Sequence, residues 1–208
     1  MRILSRFFID GFYALVNPVG IFLESARIHP HIVTSAGFIL SGIAGLLFWR
    51  GYLFLGGVIL ILSGACDALD GRLARRTNQT SRFGAFFDSA VDRYSEIVVF
   101  MGLAAFFHSA FMGAMIILAL AGSLLTSYVR ARAEGMGIDC KIGLMQRPER
   151  VTFIAAGAII GSGIDLILAT RQPLLKLAIL GIAVLGNLTV IQRVIYIRNQ
   201  IEKEIEKE

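Results

Sequence analysis

Asp67-Ala68-Leu69-Asp70-Gly71-Arg72-Leu73-Ala74-Arg75 and, shortly after it, Gly84-Ala85-Phe86-Phe87-Asp88-Ser89-Ala90-Val91-Asp92 decide how this chain is read. The apolar run 52–65 leads into the first pair of aspartates, and the run 97–107 follows the second. A carboxylate close to hydrocarbon costs roughly 2.5–3.5 kcal/mol on insertion scales unless it is paired or hydrated. Asp67 and Asp70 stand at i,i+3 and Asp88 and Asp92 at i,i+4, so each pair shares one face of a helix. The connection between the helices is short and basic, which predicts antiparallel neighbours whose ends bring all four carboxylates around one point. A divalent cation is the compensation such a set requires. Oxygen ligands without an accompanying His or Cys cluster favour Mg²⁺ or Mn²⁺ over zinc. Ion pairing with Arg72, Arg75, Arg76 and Arg93 is the structural alternative; it would serve for a single aspartate better than for this spaced set.

The surrounding composition sets the solvent. The chain has 208 residues, 56% of them hydrophobic, with a mean hydropathy of +0.71. That is the signature of an all-α integral membrane protein. Its 22 glycines suit membrane helices, where close backbone packing replaces the missing hydrophobic drive. The N-terminus lacks a small-residue cleavage site, so it is not read as a removed signal peptide. Cys66 lies in an apolar run and Cys140 in a polar loop, without metal-ligand spacing; they read as a buried small residue and an ordinary thiol. Despite a net charge of +5, no basic face with aromatic platforms is visible, and nucleic-acid binding is excluded.

A membrane span needs about 20 mostly apolar residues. Six segments qualify: 32–49, 52–73, 83–107, 111–131, 151–169 and 174–197. Residues 3–25 differ. Ile3, Leu4, Phe7, Phe8, Phe12, Leu15, Val16 and Ile21 form an apolar stripe, with Arg6, Asp10 and Asn17 off it, as in an amphipathic juxtamembrane helix. Pro18-Val19-Gly20 is expected to kink or end it; a seventh span is the competing reading. The expected plan is one domain over 1–208, with an interfacial helix at 1–28, a six-helix transmembrane bundle at 29–200 and a polar tail at 201–208. Of the 20 Lys and Arg, only Arg50, Arg171 and Lys176 fall on one side; Arg93 lies within a span and the rest face the other way. By the positive-inside rule, both termini and the aspartates face the cytoplasm of a multi-pass inner-membrane protein. Gly42 and Gly45, with Gly157, Gly161 and Gly163, offer surfaces for helix packing or dimer contact.

The aspartates are interleaved with groups that suit a phosphate. Gly71 leaves bare backbone beside Asp70, Gly84 stands one turn before Asp88, and Arg75 can grip a phosphate in fork geometry. Metal, guanidinium and bare backbone together equip a site for phosphoryl-type transfer. At every fixed position, Asp67-x2-Asp70-Gly71-x2-Ala74-Arg75-x8-Gly84-x3-Asp88-x3-Asp92 resembles the signature of the CDP-alcohol phosphotransferases. The six spans and the juxtamembrane helix resemble that family too. The resemblance implies transfer of a phosphatidyl-type group from a CDP-lipid donor to an alcohol, with release of CMP, by a homodimer. It implies two divalent cations held by Asp67, Asp70, Asp88 and Asp92, with Asp92 also the general base. Gly71, Ala74, Arg75 and Gly84 would line the nucleotide pocket. The family often carries Asn or Asp after a Pro at the first span; here Pro30-His31 precedes Thr34, so His31 and Thr34 are the candidates on that side.

The acceptor is read from a second basic set. Arg130 ends one span, Arg147 and Arg150 stand three apart, and Arg193 interrupts an apolar stretch where it needs an anionic partner. Such a set suits a second phosphate; contact with lipid headgroups is the alternative for the individual arginines. The stretch Ser127-Tyr128-Val129-Arg130-Ala131-Arg132-Ala133-Glu134-Gly135 is similar to the branch that uses inositol 1-phosphate, on diacylglycerol or archaeal ether lipid. That similarity implies Ser127, Arg130, Arg150 and Arg193, with Arg147, around the acceptor phosphate. Glycerol 3-phosphate and serine remain alternative acceptors. A cation or proton transporter is the rival class, but it predicts acids near the bilayer midplane in broken helices.

Overall fold

The structure, a computed structural model, describes residues 6–168 and 172–205, and all regular structure among them is helical. The helices are α1 (Arg6–Ser25), α2 (Pro30–Trp49), α3 (Leu53–Arg76), α4 (Arg82–Phe106), α5 (Ala110–Glu134), α6 (Arg147–Leu168) and α7 (Pro173–Ile205). Ile3, Leu4, the side chains of Phe7, Phe8, Asp10, Phe12 and Leu15, residues 169–171 and the last residues of the polar tail lie outside the description.

Local chemistry sets the helix ends. α2 opens with Pro30 at its first turn and a His29 side chain that accepts from the His31 amide at 3.4 Å. It stops at Arg50-Gly51, where Gly51 takes φ +81°, a backbone conformation costly for other residues. Ser81 caps α4 by accepting from the Gly84 amide at 2.9 Å. α7 carries on through Ile205, so the described part of the polar tail is a continuation of the last helix, braced by an Arg198–Glu202 pair at 2.7 Å.

Five helices, α2, α3, α5, α6 and α7, are long and apolar enough to cross a membrane. The chain is a multi-pass membrane protein. α4 differs because Asp88, Asp92, Arg93 and Glu96 crowd its first half. The six long helices close into a ring: α2 packs on α3, α3 on α6, α6 on α7, α7 on α5, α5 on α4, and α4 back on α2. The far end of the ring is filled by Phe48, Leu53, Phe100, Leu103, Ile116, Ala155, Leu175, Ile179 and Ile182, all buried. The aspartate-bearing halves of α3 and α4 lie at the other end.

Two expectations change here. α3 and α4 are not packed neighbours; each packs on α2, which lies between them. Their short connection therefore closes a gap rather than a helix–helix seam. Also, of the kink or end expected at Pro18-Val19-Gly20, the end does not occur there: α1 runs on to Ser25. It is held from below. Val16 is buried with Val33, Leu69 and Leu73, and Gly20 lies so close to Leu69 that a Cβ there would sit 3.0 Å from Leu69 Cδ2. Arg76, in the last turn of α3, donates to Asn17 Oδ1 at 2.9 Å and lies 3.7 Å from Glu24 Oε2. Tertiary contact from α3 thus offsets the backbone bond that Pro18 cannot make.

The tightest seam is α2 on α4. A Cβ built on Gly102 would overlap the backbone of Gly45, and one on Gly45 would stand 2.6 Å from the Val98 carbonyl oxygen. Gly157 serves α6 in the same way against Leu175 and Ala178 of α7, whereas Gly42 and Gly163 have no atom within 4 Å of a Cβ. Only backbone would have to move to admit a methyl at Gly102. Gly102→Ala should therefore lower stability by about 1–3 kcal/mol, as overpacking does, while Gly42→Ala should leave the melting temperature of the detergent-purified protein unchanged or raise it.

Candidate active site

The last turns of α3 and the first turns of α4 deliver the carboxylates. One oxygen each from Asp67, Asp88 and Asp92 lies within 4.8 Å of the others. Such spacing is close to that of oxygens on a shared ion. Asp88 Oδ1 is buried and accepts no hydrogen bond from the described residues. A buried carboxylate oxygen without a donor is costly, and a cation is the partner that its acceptor-only chemistry allows. The residues present thus fit a hard divalent cation.

Asp70 stands beside this cluster rather than in it. It is 4% exposed and accepts from Thr34 Oγ1 at 2.7 Å and from the Gly71 amide at 2.5 Å. Thr34 also donates to the Pro30 carbonyl at 3.2 Å, so α2 sets the orientation of this carboxylate. Arg147 enters from the first turn of α6. Its Nη1 lies 3.2 Å from Asp67 Oδ1 and in ion-pair contact with Asp92 Oδ1, without the alignment of a hydrogen bond. Arg147, expected beside the acceptor phosphate, therefore reaches the carboxylates as well.

The residues expected to face a nucleotide gather on the α2–α3–α4 side. His31 stacks on His29 with ring centroids 4.8 Å apart and meets the Phe87 ring edge-on at 5.4 Å. A Cβ on Gly84 would come within 3.2 Å of His31 Cε1, so the glycine lets α4 approach the imidazole. Gly71 faces only the Arg75 guanidinium, whose Nη1 would lie 3.6 Å from a Cβ there, and Arg75 is exposed. Ala74 is half-buried on the same turn of α3.

On the other side of Asp88 and Asp92 opens a cleft of about 380 Å³ between α4, α5, α6 and α7. Ser127, Arg130, Arg147, Arg150 and Arg193, read separately from the sequence, all line it. Their partners differ from expectation. Arg193, 3% exposed, has no carboxylate partner among the described residues; it donates to the Ile142 carbonyl at 2.8 Å and the Thr126 carbonyl at 2.5 Å. Backbone oxygens fix the guanidinium without neutralising it, which leaves its charge for an anion. Arg130 pairs with Glu134 one turn on, at 2.8 Å, on the exposed rim.

Sequence reasoning missed Glu96 and Gln146. Glu96 Oε1 accepts from Arg150 Nη2 at 2.5 Å and Nε at 3.1 Å, and Arg150 is 3% exposed. A signal existed: Asp88, Asp92 and Glu96 repeat at i,i+4, so all three face the cleft. Gln146 had no such signal, because it stands in an irregular connection.

The arrangement places a cation site on the wall between an aromatic, glycine-bearing surface and an arginine-lined cleft. A family model described as CDP-alcohol phosphatidyltransferase matches residues 27–195. The archaetidylinositol phosphate synthase of Methanothermobacter thermautotrophicus is 37% identical over 82% of this chain and 83% of its own length. The phosphatidylinositol phosphate synthase of Mycobacteroides abscessus is 37% identical over 94% and 88%. The crystal structure of Mycobacterium tuberculosis phosphatidylinositol phosphate synthase with CDP-DAG bound superposes with a TM-score of 0.77 at 31% identity, covering 88% of this chain and 94% of that one. The same enzyme has been solved in complex with manganese and citrate, again at a TM-score of 0.77 and 31% identity, covering 88% of each chain. This chain belongs to the CDP-alcohol phosphatidyltransferase family and is a metal-dependent membrane transferase of that kind.

Proposed function

We propose that the protein transfers a phosphatidyl-type group from a CDP-lipid to inositol 1-phosphate, giving a phosphatidylinositol phosphate or its archaeal ether-lipid counterpart, with release of CMP. The single observation that carries this reading is the shared wall: Asp88 and Asp92 belong to the carboxylate cluster and also line the cleft that holds Arg150 and Arg193. An acceptor whose phosphate lies on those arginines has its hydroxyl beside the acids. The names and bound donor of the relatives point the same way. Glycerol 3-phosphate would use the same anion site and is the alternative acceptor; serine would offer Arg193 a single carboxylate in place of a phosphate.

In this reading Asp67, Asp88 and Asp92, with Asp70 turned by Thr34, hold two divalent cations, Mg²⁺ or Mn²⁺. Cations held by these carboxylates would supply neutralising charge for the diphosphate and for CMP as it leaves. Asp92 accepts the proton of the acceptor hydroxyl as the new oxygen–phosphorus bond forms and the bond to CMP breaks. Arg193 and Arg150 hold the acceptor phosphate, with Ser127 and Arg130 at the rim; Glu96 aims Arg150. His31, Gly71, Ala74, Arg75 and Gly84 form the donor side. We further propose that residues 1–208 act as one domain, that α4 is the sixth span, that α1 lies in the interface, that the site and both termini face the cytoplasm, and that the protein works as a homodimer. The placement of Lys and Arg supports the orientation.

CMP release from a CDP-lipid with Mg²⁺ tests the chemistry. Asp92→Asn should lower kcat by about 10²–10⁴-fold, the worth of a positioned base, with the acceptor KM little changed. Asp88→Asn should weaken Mn²⁺ binding at least about tenfold, since even outer partners of a metal ligand matter by roughly 10–100-fold. Titration followed by electron paramagnetic resonance reads this without turnover. Arg193→Gln should raise the KM for inositol 1-phosphate about tenfold or more, a lost charged hydrogen bond, and leave the CDP-lipid KM in place. Absence of metal-dependent CMP release with every acceptor would end the reading.

A further inference from the structure

Gln146 lines the cleft just before α6, and its Nε2 is buried with no acceptor among the described residues. Its backbone is fixed from two sides. The Gln146 carbonyl accepts from the Arg150 amide at 3.1 Å, opening α6. One residue earlier, the Met145 amide donates to Thr189 Oγ1 of α7 at 3.0 Å, and the Met145 carbonyl accepts from Arg150 Nη1 at 3.4 Å. The carboxamide is therefore carried by a rigid segment, next to the arginine that Glu96 aims. A buried donor without an acceptor loses its hydration and regains nothing within the fold. It is retained at a site where a ligand supplies the missing oxygen.

The character of that oxygen follows from the neighbours. Arg193, whose charge is left open, already answers an anion, with Arg150 aimed beside it by Glu96, and Asp88 and Asp92 answer cations. An amide carries no net charge and gains least from a phosphate in competition with a guanidinium whose charge is open, as in Arg193. It is well matched to a neutral hydroxyl. Resting on the acceptor reading above, we propose that Gln146 donates from Nε2 to a non-reacting ring hydroxyl of the inositol phosphate, and so sets the preference for a ring polyol over acceptors that lack a hydroxyl at that point. Sites built around such a bond reject the analogue that lacks the group, because the protein donor is then left unpaired.

The test uses the full-length protein in detergent with CDP-diacylglycerol and Mg²⁺. The acceptors are inositol 1-phosphate, its monodeoxy analogues and glycerol 3-phosphate. Gln146→Leu should raise the KM for inositol 1-phosphate about tenfold or more, while the donor KM stays within about twofold. One monodeoxy analogue should lose about tenfold in kcat/KM with the wild type and nothing further with Gln146→Leu, the coupling expected of a shared bond. Gln146→Asn, one methylene shorter, should behave like Gln146→Leu and serves if the leucine variant does not fold. An unchanged acceptor KM, an equal loss for glycerol 3-phosphate, or a parallel rise in donor KM overturns the proposal while the wild type remains active with inositol 1-phosphate. A wild type inactive with that acceptor but active with another overturns the acceptor reading, and this inference with it.

Discussion

Mutual repulsion of carboxylates brought together at a membrane is the constraint on which the structure turns. Asp67, Asp88 and Asp92 come from two helices and place oxygens within 4.8 Å of one another. Without positive charge nearby, that arrangement would not hold in a medium of low dielectric. The fold supplies some of it through Arg147, which leans from the start of α6 against Asp67 and Asp92. The remaining unmet acceptor, Asp88 Oδ1, marks where a cation belongs.

The ring of helices is what allows carboxylates to meet and still be reached. Direct packing of α3 on α4 would have sealed the space between them. With α2 interposed, held to α4 by the Gly45–Gly102 contact and to α3 by the Ser41–Ser63 hydrogen bond at 2.7 Å, the two acidic faces converge at one end only. The apolar filling around Phe48, Phe100 and Leu103 closes the other end. One half of the bundle is thus a dry scaffold, and the other a polar chamber.

The basic side of that chamber shows two ways of keeping an arginine out of water. Arg150 is matched by Glu96, so its charge is largely answered inside the protein and its direction is set. Arg193 is held by carbonyl dipoles alone, so its direction is set and its charge is not. The second arrangement is the one that attracts an anion. A buried cation with no carboxylate is tolerable because the cleft is wide enough to admit water or a phosphate.

Much of this was legible in the order of residues. Hydropathy marks six long apolar segments, because a bilayer demands continuous stretches of set length, and a helix lies over each of them, the last running on past its segment to Ile205. Spacing within a helix is equally legible: Asp67 with Asp70, and Asp88 with Asp92, share faces by helical geometry alone. The interposition of α2, the passage of α1 through Pro18, the turn of Asp70 toward Thr34 and the pairing of Glu96 with Arg150 were not legible. Each depends on which helices meet, and hydrophobic periodicity carries little of that information where lipid and protein interior are equally apolar. The sequence by itself thus determined the long apolar helices of a multi-pass membrane protein, the acidic faces and the chemistry they can support. Only the tertiary structure decided which acids share a point, which arginine keeps its charge available, and that Gln146 Nε2 meets no acceptor among the described residues.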